Sequence, residues 1–94
     1  MIYIIKLFRT DCGCLSRYNN VGYFNNLEEA MEAVKNNDSD ISDSGFYHYA
    51  AVAGVEEGLY SMAKTETWFQ WDINEKKYRE IERPKELEYL ALII

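Results

Sequence analysis

Two cysteines separated by a single glycine, Cys12-Gly13-Cys14, are the residues in this 94-residue chain best suited to chemistry. Asp11 stands beside them, and His48 is the only imidazole. Two thiolates and an imidazole can hold zinc, with Asp11 or water as the fourth ligand. Neighbouring thiols can also serve thiol–disulfide exchange. Structural zinc sites usually draw ligands from two paired motifs, and no second pair follows here, so ordinary loop thiols are the competing reading. Cys12, Cys14 and His48 are therefore weak metal candidates. His48 alternates with Tyr47 and Tyr49 and has no nucleophile or orienting carboxylate close in sequence, which favours packing over acid–base work. The sequence assembles no catalytic set and implies no cofactor, and a non-enzymatic role is expected.

Three other patterns imitate known chemistry and fail on detail. Asp38-Ser39-Asp40-Ile41-Ser42-Asp43 begins like a calcium loop, but Asp43 stands where the turn glycine belongs and Tyr49 where the bidentate glutamate belongs. Asp72 with Glu75, Lys76 and Lys77 has the residue types of a metal-dependent nuclease, crowded into what reads as one hairpin turn. Gly54 and Gly58 flank two acids, with no Lys-Ser/Thr following, so they are turn glycines rather than a phosphate cradle.

Surface chemistry is more prominent. The chain has 2 Trp, 8 Tyr and 4 Phe. Its densest patch is Trp68-Phe69-Gln70-Trp71, answered by Tyr78. With Tyr60 and the nearby bases Lys76, Lys77, Arg79 and Arg83, this patch could stack a nucleotide and hold its phosphates. The same residue types dominate protein interfaces, and core or dimer packing uses them as readily. Trp68, Trp71, Tyr78, Arg79 and Tyr60 are thus a candidate ligand or partner surface.

Net charge is −6, and it is concentrated. Residues 1–26 carry +2, residues 27–57 carry −7, and the remainder carry −1. Glu28, Glu29, Glu32, Asp38, Asp40 and Asp43 form a candidate acidic partner surface. That field opposes phosphate binding, so no direct contact with nucleic acid is expected. No apolar run approaches the ~20 residues needed to cross a bilayer, and Met1 leads straight into apolar residues without a secretory pattern. Together with two closely spaced cysteines, these features suggest a complete cytoplasmic protein without membrane association.

The elements that must position these groups can be read in order. Residues 2–8 are β-branched or aromatic on both faces, the pattern of a strand covered on both sides. Residues 11–20 read as a loop, and Val21 to Phe24 as a short second strand. Asn25 or Asn26 can cap a helix whose Leu27, Ala30, Met31 and Val34 form one stripe, with Glu28 and Glu29 in the first turn. Residues 46–55 and 65–73 read as strands, and residues 74–77 as a connection into a strand over 78–82 that Pro84 stops. The last ten residues fit a short helix through Leu87, Leu90, Ala91 and Ile94, or equally a buried strand over 89–94. The helix is favoured.

Val21-Gly22-Tyr23-Phe24-Asn25-Asn26-Leu27-Glu28-Glu29-Ala30, the Tyr49-Ala50-Ala51-Val52 segment, Gly58-Leu59-Tyr60, Trp68-Phe69-Gln70-Trp71-Asp72 and the run from Tyr78 to Pro84 are, taken together, similar to a loose set of short bacterial and phage proteins of unknown function. In that set a strand ending in Phe leads into a Glu-Glu-Ala helix and an aromatic β-hairpin. The likeness covers about residues 21–84 and rests on a helix start, turn glycines and packing aromatics. It implies a small α+β fold and supplies no catalytic residue.

The reading is one α+β domain over residues 1–94: an antiparallel-rich sheet of about five strands packed by one amphipathic helix, with a short C-terminal helix possible. The expected role is a small interaction protein that self-associates as a homodimer and offers its acidic surface to a protein partner. Its sharpest form is a phage-type inhibitor of a nucleic-acid-binding enzyme. The alternatives are a nucleotide or small-ligand protein using the aromatic hairpin, and a Cys-X-Cys metal or redox protein.

Overall fold

The computed structural model describes residues 1–59 and 61–93. Five strands, β1 (Ile2–Asp11), β2 (Cys14–Phe24), β3 (Tyr49–Val55), β4 (Thr65–Asp72) and β5 (Lys77–Ile81), form one open sheet in the order β2-β1-β3-β4-β5. Every neighbouring pair is antiparallel. One helix, α1 (Leu27–Lys35), and two single 3-10 turns (Asp38–Asp40 and Lys85–Leu87) complete the described elements. The class is α+β and mostly sheet. Among the described residues no helix is long and apolar enough to cross a membrane.

The apolar alternation of β1 is double, and so is its burial. Ile5 and Leu7 join Ala50, Val52, Phe69 and Tyr78 on one face of the sheet, in a cluster shared with Ala30, Ala33 and Val34 of α1. Phe8 joins Ala51, Ala53 and Trp68 on the other face, covered by Leu87 and Leu92 of the C-terminal segment. Alanines in β3 leave room for both covers, since a strand's successive side chains point to opposite faces. Asn26 caps α1, its side chain accepting from Glu29 N at 3.1 Å, and Glu28 and Glu29 occupy the first turn.

The second strand begins earlier than its sequence suggests. Residues 14–20 pair with β1 instead of forming a loop. The connection is a two-residue turn at Cys12 (φ 54°) and Gly13 (φ 78°), both left-handed, as tight hairpins between twisted strands require. Ser16, Arg17, Asn19 and Asn20 are tolerated because β2 is an edge strand, exposed along most of its length. Its register with β1 shifts twice, leaving Val21 and Ser16 without opposite residues. Such bulges twist an edge away from further pairing, while the opposite edge, β5, is short and carries Lys77, Arg79 and Glu80. β3 starts at Tyr49 instead of Phe46, because Phe46 N and Tyr47 N are bonded back to Asp43 O and Ser42 O.

The C-terminal segment is also not the favoured helix. It makes one 3-10 turn at Lys85–Leu87, continues as turn through Glu88 and Tyr89, and then has no regular structure until Ile93 bridges Met62. Ile94, the last residue of the expected stripe, lies outside the described residues. The segment's carbonyls take side-chain donors as well as local turn bonds, Leu87 O accepting from Leu90 N at 3.2 Å. Arg83 donates to Leu87 O at 2.9 Å and to Leu90 O, and the fully buried Lys6 donates to Ile93 O at 2.9 Å. Ala63 N adds a bond to Leu92 O at 2.8 Å.

If this irregular segment is a true second cover, Leu87 and its exposed neighbour Tyr89 should respond differently to truncation. Leu87→Ala should cost about 2–5 kcal/mol of unfolding free energy in urea titrations. Tyr89→Ala, at a position 68% exposed, should stay within about 0.5 kcal/mol. Equal effects would mean that the segment does not seal the core.

Candidate functional site

The aromatic hairpin is divided by the sheet. Trp68 and Trp71 lie three residues apart on β4 and so project from opposite faces. Trp68 is 3% exposed, stacked on Phe8 with ring centroids 5.1 Å apart, and its indole N–H donates to Glu66 at 2.9 Å. Arg83 sits over the same ring and pairs with Glu66 at 2.9 Å. Tyr78 is 1% exposed in the helix-side core, its hydroxyl donating to Tyr47 O at 2.8 Å. Burial raises the Tyr78 phenol well above its ordinary range. Half-buried Trp71 packs edge-on against Tyr78, and Gly45 lies so close that a Cβ there would be 2.7 Å from the indole nitrogen. Arg79 is exposed and 3.8 Å from Asp72. Tyr60 lies outside the described residues. The expected aromatic surface is thus corrected to two core aromatics, one half-buried ring and one surface arginine. The signal was genuine burial propensity, and alternation across β4 decided where each ring went.

The metal candidates are not gathered either. Cys12 and Cys14 are both exposed at the β1–β2 tip. Asp11 is committed to Arg9 at 3.3 Å. A side-chain bond from Ser16, with the Arg9 charge, holds its carboxyl below the usual range. His48 Nδ1 accepts from Thr10 N at 3.4 Å, and its Nε2 lies 3.3 Å from Arg9, which also donates to Phe46 O at 2.8 Å. His48 therefore serves to dock the 46–48 segment beside β1. Among the described residues no group of three or more His, Cys, Asp or Glu side chains is placed to hold a metal ion. Asp72 accepts from Asn74 N at 2.9 Å and Glu75 N at 3.1 Å, which makes it the organiser of the hairpin connection.

The acidic residues separate into two groups. Glu28, Glu29, Glu32 and Asp38 converge on a shallow cleft of about 520 Å³ whose other walls are Phe24, Asn26 and Ala33. The helix dictates this arrangement. Once Ala30, Ala33 and Val34 turn inward, the glutamates must face out, and Asp38 follows just past the C-cap Asn36. Among the described residues none of these four carboxylates belongs to an ion pair. Glu28 and Glu32, four residues apart, repel each other at a cost of about 0.2–0.5 kcal/mol.

Asp40 has a different role. Its carboxylate accepts from Ser44 N at 3.1 Å, Asn37 Nδ2 at 3.2 Å and Ser42 Oγ at 3.3 Å. These bonds, led by the Ser44 backbone N–H, hold its carboxyl below the ordinary aspartate range. They order a loop in which Asn37, Ser39, Asp40, Asp43 and Ser44 are all left-handed. Such backbone is costly for non-glycine residues, so the side-chain network is what sustains it. Asp43 is exposed on that loop.

The roles of Phe24, Ala33, Lys6 and Arg83 are not apparent from composition. The available signal was a lysine placed in the middle of the most apolar strand. Comparison with protein-family models, with curated proteins and with solved structures finds no match.

Because the Asp40 carboxyl is lowered in the folded state, its contribution to stability is present above the unfolded aspartate range and is lost as pH falls through the folded value. Asp40→Asn should therefore weaken the protein near neutrality, and the gap to wild type should close on acidification below about pH 4. Urea unfolding across that range measures it. A gap independent of pH would remove the carboxylate from the account.

Proposed function

We propose that the chain is a non-enzymatic interaction protein that offers the α1 face to a basic surface of another protein. The observation behind this reading is the cleft where Glu28, Glu29, Glu32 and Asp38 stand unpaired around an apolar floor of Phe24 and Ala33. Carboxylates spaced along one helix face present negative charge to solvent much as consecutive phosphates do. They suit the lysine- and arginine-rich groove of a nucleic-acid-binding protein, where like charge excludes wrong partners and opposite charge steers encounter. The half-buried floor gives a docked side chain somewhere to leave water. In this reading the acidic face competes with nucleic acid for its partner, which is an inhibitory mode of action.

Self-association has less support from side-chain placement. Trp68 and Tyr78, two of the aromatics read as a partner surface, are buried within one copy, as are Leu87 and Leu92.

The test is to capture basic proteins from the host on immobilised chain, purify the retained partner, and titrate the pair against salt and against a competing oligonucleotide. Affinity should fall steeply as ionic strength rises and the Debye length shrinks below about 10 Å. The triple change E28K/E29K/E32K should weaken binding by about 100-fold or more, at roughly 1 kcal/mol per lost pair. Binding that ignores salt, or that survives the reversal, would sink the proposal. Binding that leaves the partner's oligonucleotide undisturbed would remove the inhibitory mode.

A further inference from the structure

The thiols at the β1–β2 tip point to a second property, independent of the acidic cleft. Cys12 is the first residue of the two-residue turn and Cys14 the first residue after it, and both are exposed and free. Neither feature is explained by folding alone. Free cysteine is among the most buried residue types. The first position of a left-handed hairpin turn favours Asn, Asp or Gly, yet Cys12 holds φ 54° there.

The structure also narrows the possible ligands. Asp11 is paired with Arg9, and His48 is bonded to Thr10 N and faces Arg9, so neither is free to complete a four-ligand site. What remains is two thiols whose Cα atoms, two residues apart, lie within about 7 Å of each other. Gly13 between them has no side chain, and apart from its two chain neighbours no atom lies within 4 Å of where its Cβ would stand. Zinc wants four donors in a tetrahedron. Two soft sulfurs with open access suit a soft cation that is content with two ligands, and among biological metals that is copper(I).

We infer that Cys12 and Cys14 form a two-thiolate site for a single copper(I) ion. On binding, each thiol releases its proton to solvent and forms one S–Cu bond. The weak ligand that carried the metal leaves, and copper enters and remains as Cu(I). The product is a bis-thiolate complex of net charge −1. With Arg9 balanced by Asp11, Arg17, which stands opposite Arg9 on the same hairpin, supplies a positive charge on the tip's own strand pair.

The experiment is an anaerobic competition in which the reduced full-length chain withdraws copper(I) from the chromophoric chelator bathocuproine disulfonate. Native mass spectrometry reads the stoichiometry. Wild type should take one copper per single chain, with the loss of two protons. Cys12→Ser and Cys14→Ser should each weaken binding by more than about 100-fold, beyond the usual cost of losing an outer-shell partner. Both changes sit on an exposed tip, and circular dichroism will verify that the sheet persists. Zinc(II) should not survive dialysis. Three results would overturn the site: single-cysteine chains that compete as well as wild type, copper found only between two chains, or affinity no better than that of glutathione at equal thiol concentration. E28K/E29K/E32K should leave copper binding unchanged, so failure of the acidic-face reading and failure of this one are separable.

Discussion

Burial of the central strands on both faces is the constraint from which the rest of this fold follows. Leu7 and Phe8 are adjacent in β1, point in opposite directions and are both fully buried. A five-stranded open sheet cannot bury two faces by itself, so the chain must supply two covers. One is α1, whose alanines allow it to lie close over Ile5, Leu7 and Val52. The other is the segment after β5, which lays Leu87 and Leu92 across Phe8, Ala51 and Trp68.

The two covers meet their backbone requirements differently, and this difference explains the least expected side chains in the core. A helix satisfies its own carbonyls, whereas an irregular segment lying on an apolar sheet needs donors from elsewhere. Arg83 and Lys6 supply them. Arg83 reaches two carbonyls of the segment while stacking over Trp68 and pairing with Glu66. Lys6 uses Tyr18 Oη, Asn20 Oδ1 and Ile93 O, three acceptors for the three hydrogens of an ammonium. A lysine in the middle of an apolar strand thus becomes a fastener between the edge strand and the far end of the chain.

The same packing decides which groups are left for function. Trp68 and Tyr78 are consumed by the core and Trp71 by its margin, and His48 and Asp11 are consumed by Arg9 and the hairpin. The glutamates of α1 remain outward because the opposite stripe is buried. The thiols remain at the tip because a two-residue turn has nothing to pack against. Both candidate surfaces are therefore what is left over from the double burial, one at the helix and one at the end of the longest hairpin.

Much of the fold was legible in the sequence by itself. Double-sided apolar alternation in residues 2–8 marked a central strand, Asn25 or Asn26 with the Leu27–Ala30–Met31–Val34 spacing marked the helix, and Asp72 with Asn74 marked the last hairpin turn. Each of these signals is local, a matter of period, cap or turn chemistry within a few residues. Charge was legible too, and with it the acids of α1. Only the tertiary structure decided that residues 14–20 pair as an edge strand, because an edge tolerates polar residues that read as loop. Only it decided that the segment over 88–93 leaves the helical path, with Arg83 and Lys6 donating to its carbonyls. It also decided that Trp68 and Trp71 do not share a surface and that Asp11 and His48 do not join Cys12 and Cys14. Those outcomes depend on contacts between residues as far apart as Lys6 and Ile93, and no local pattern encodes such a pairing.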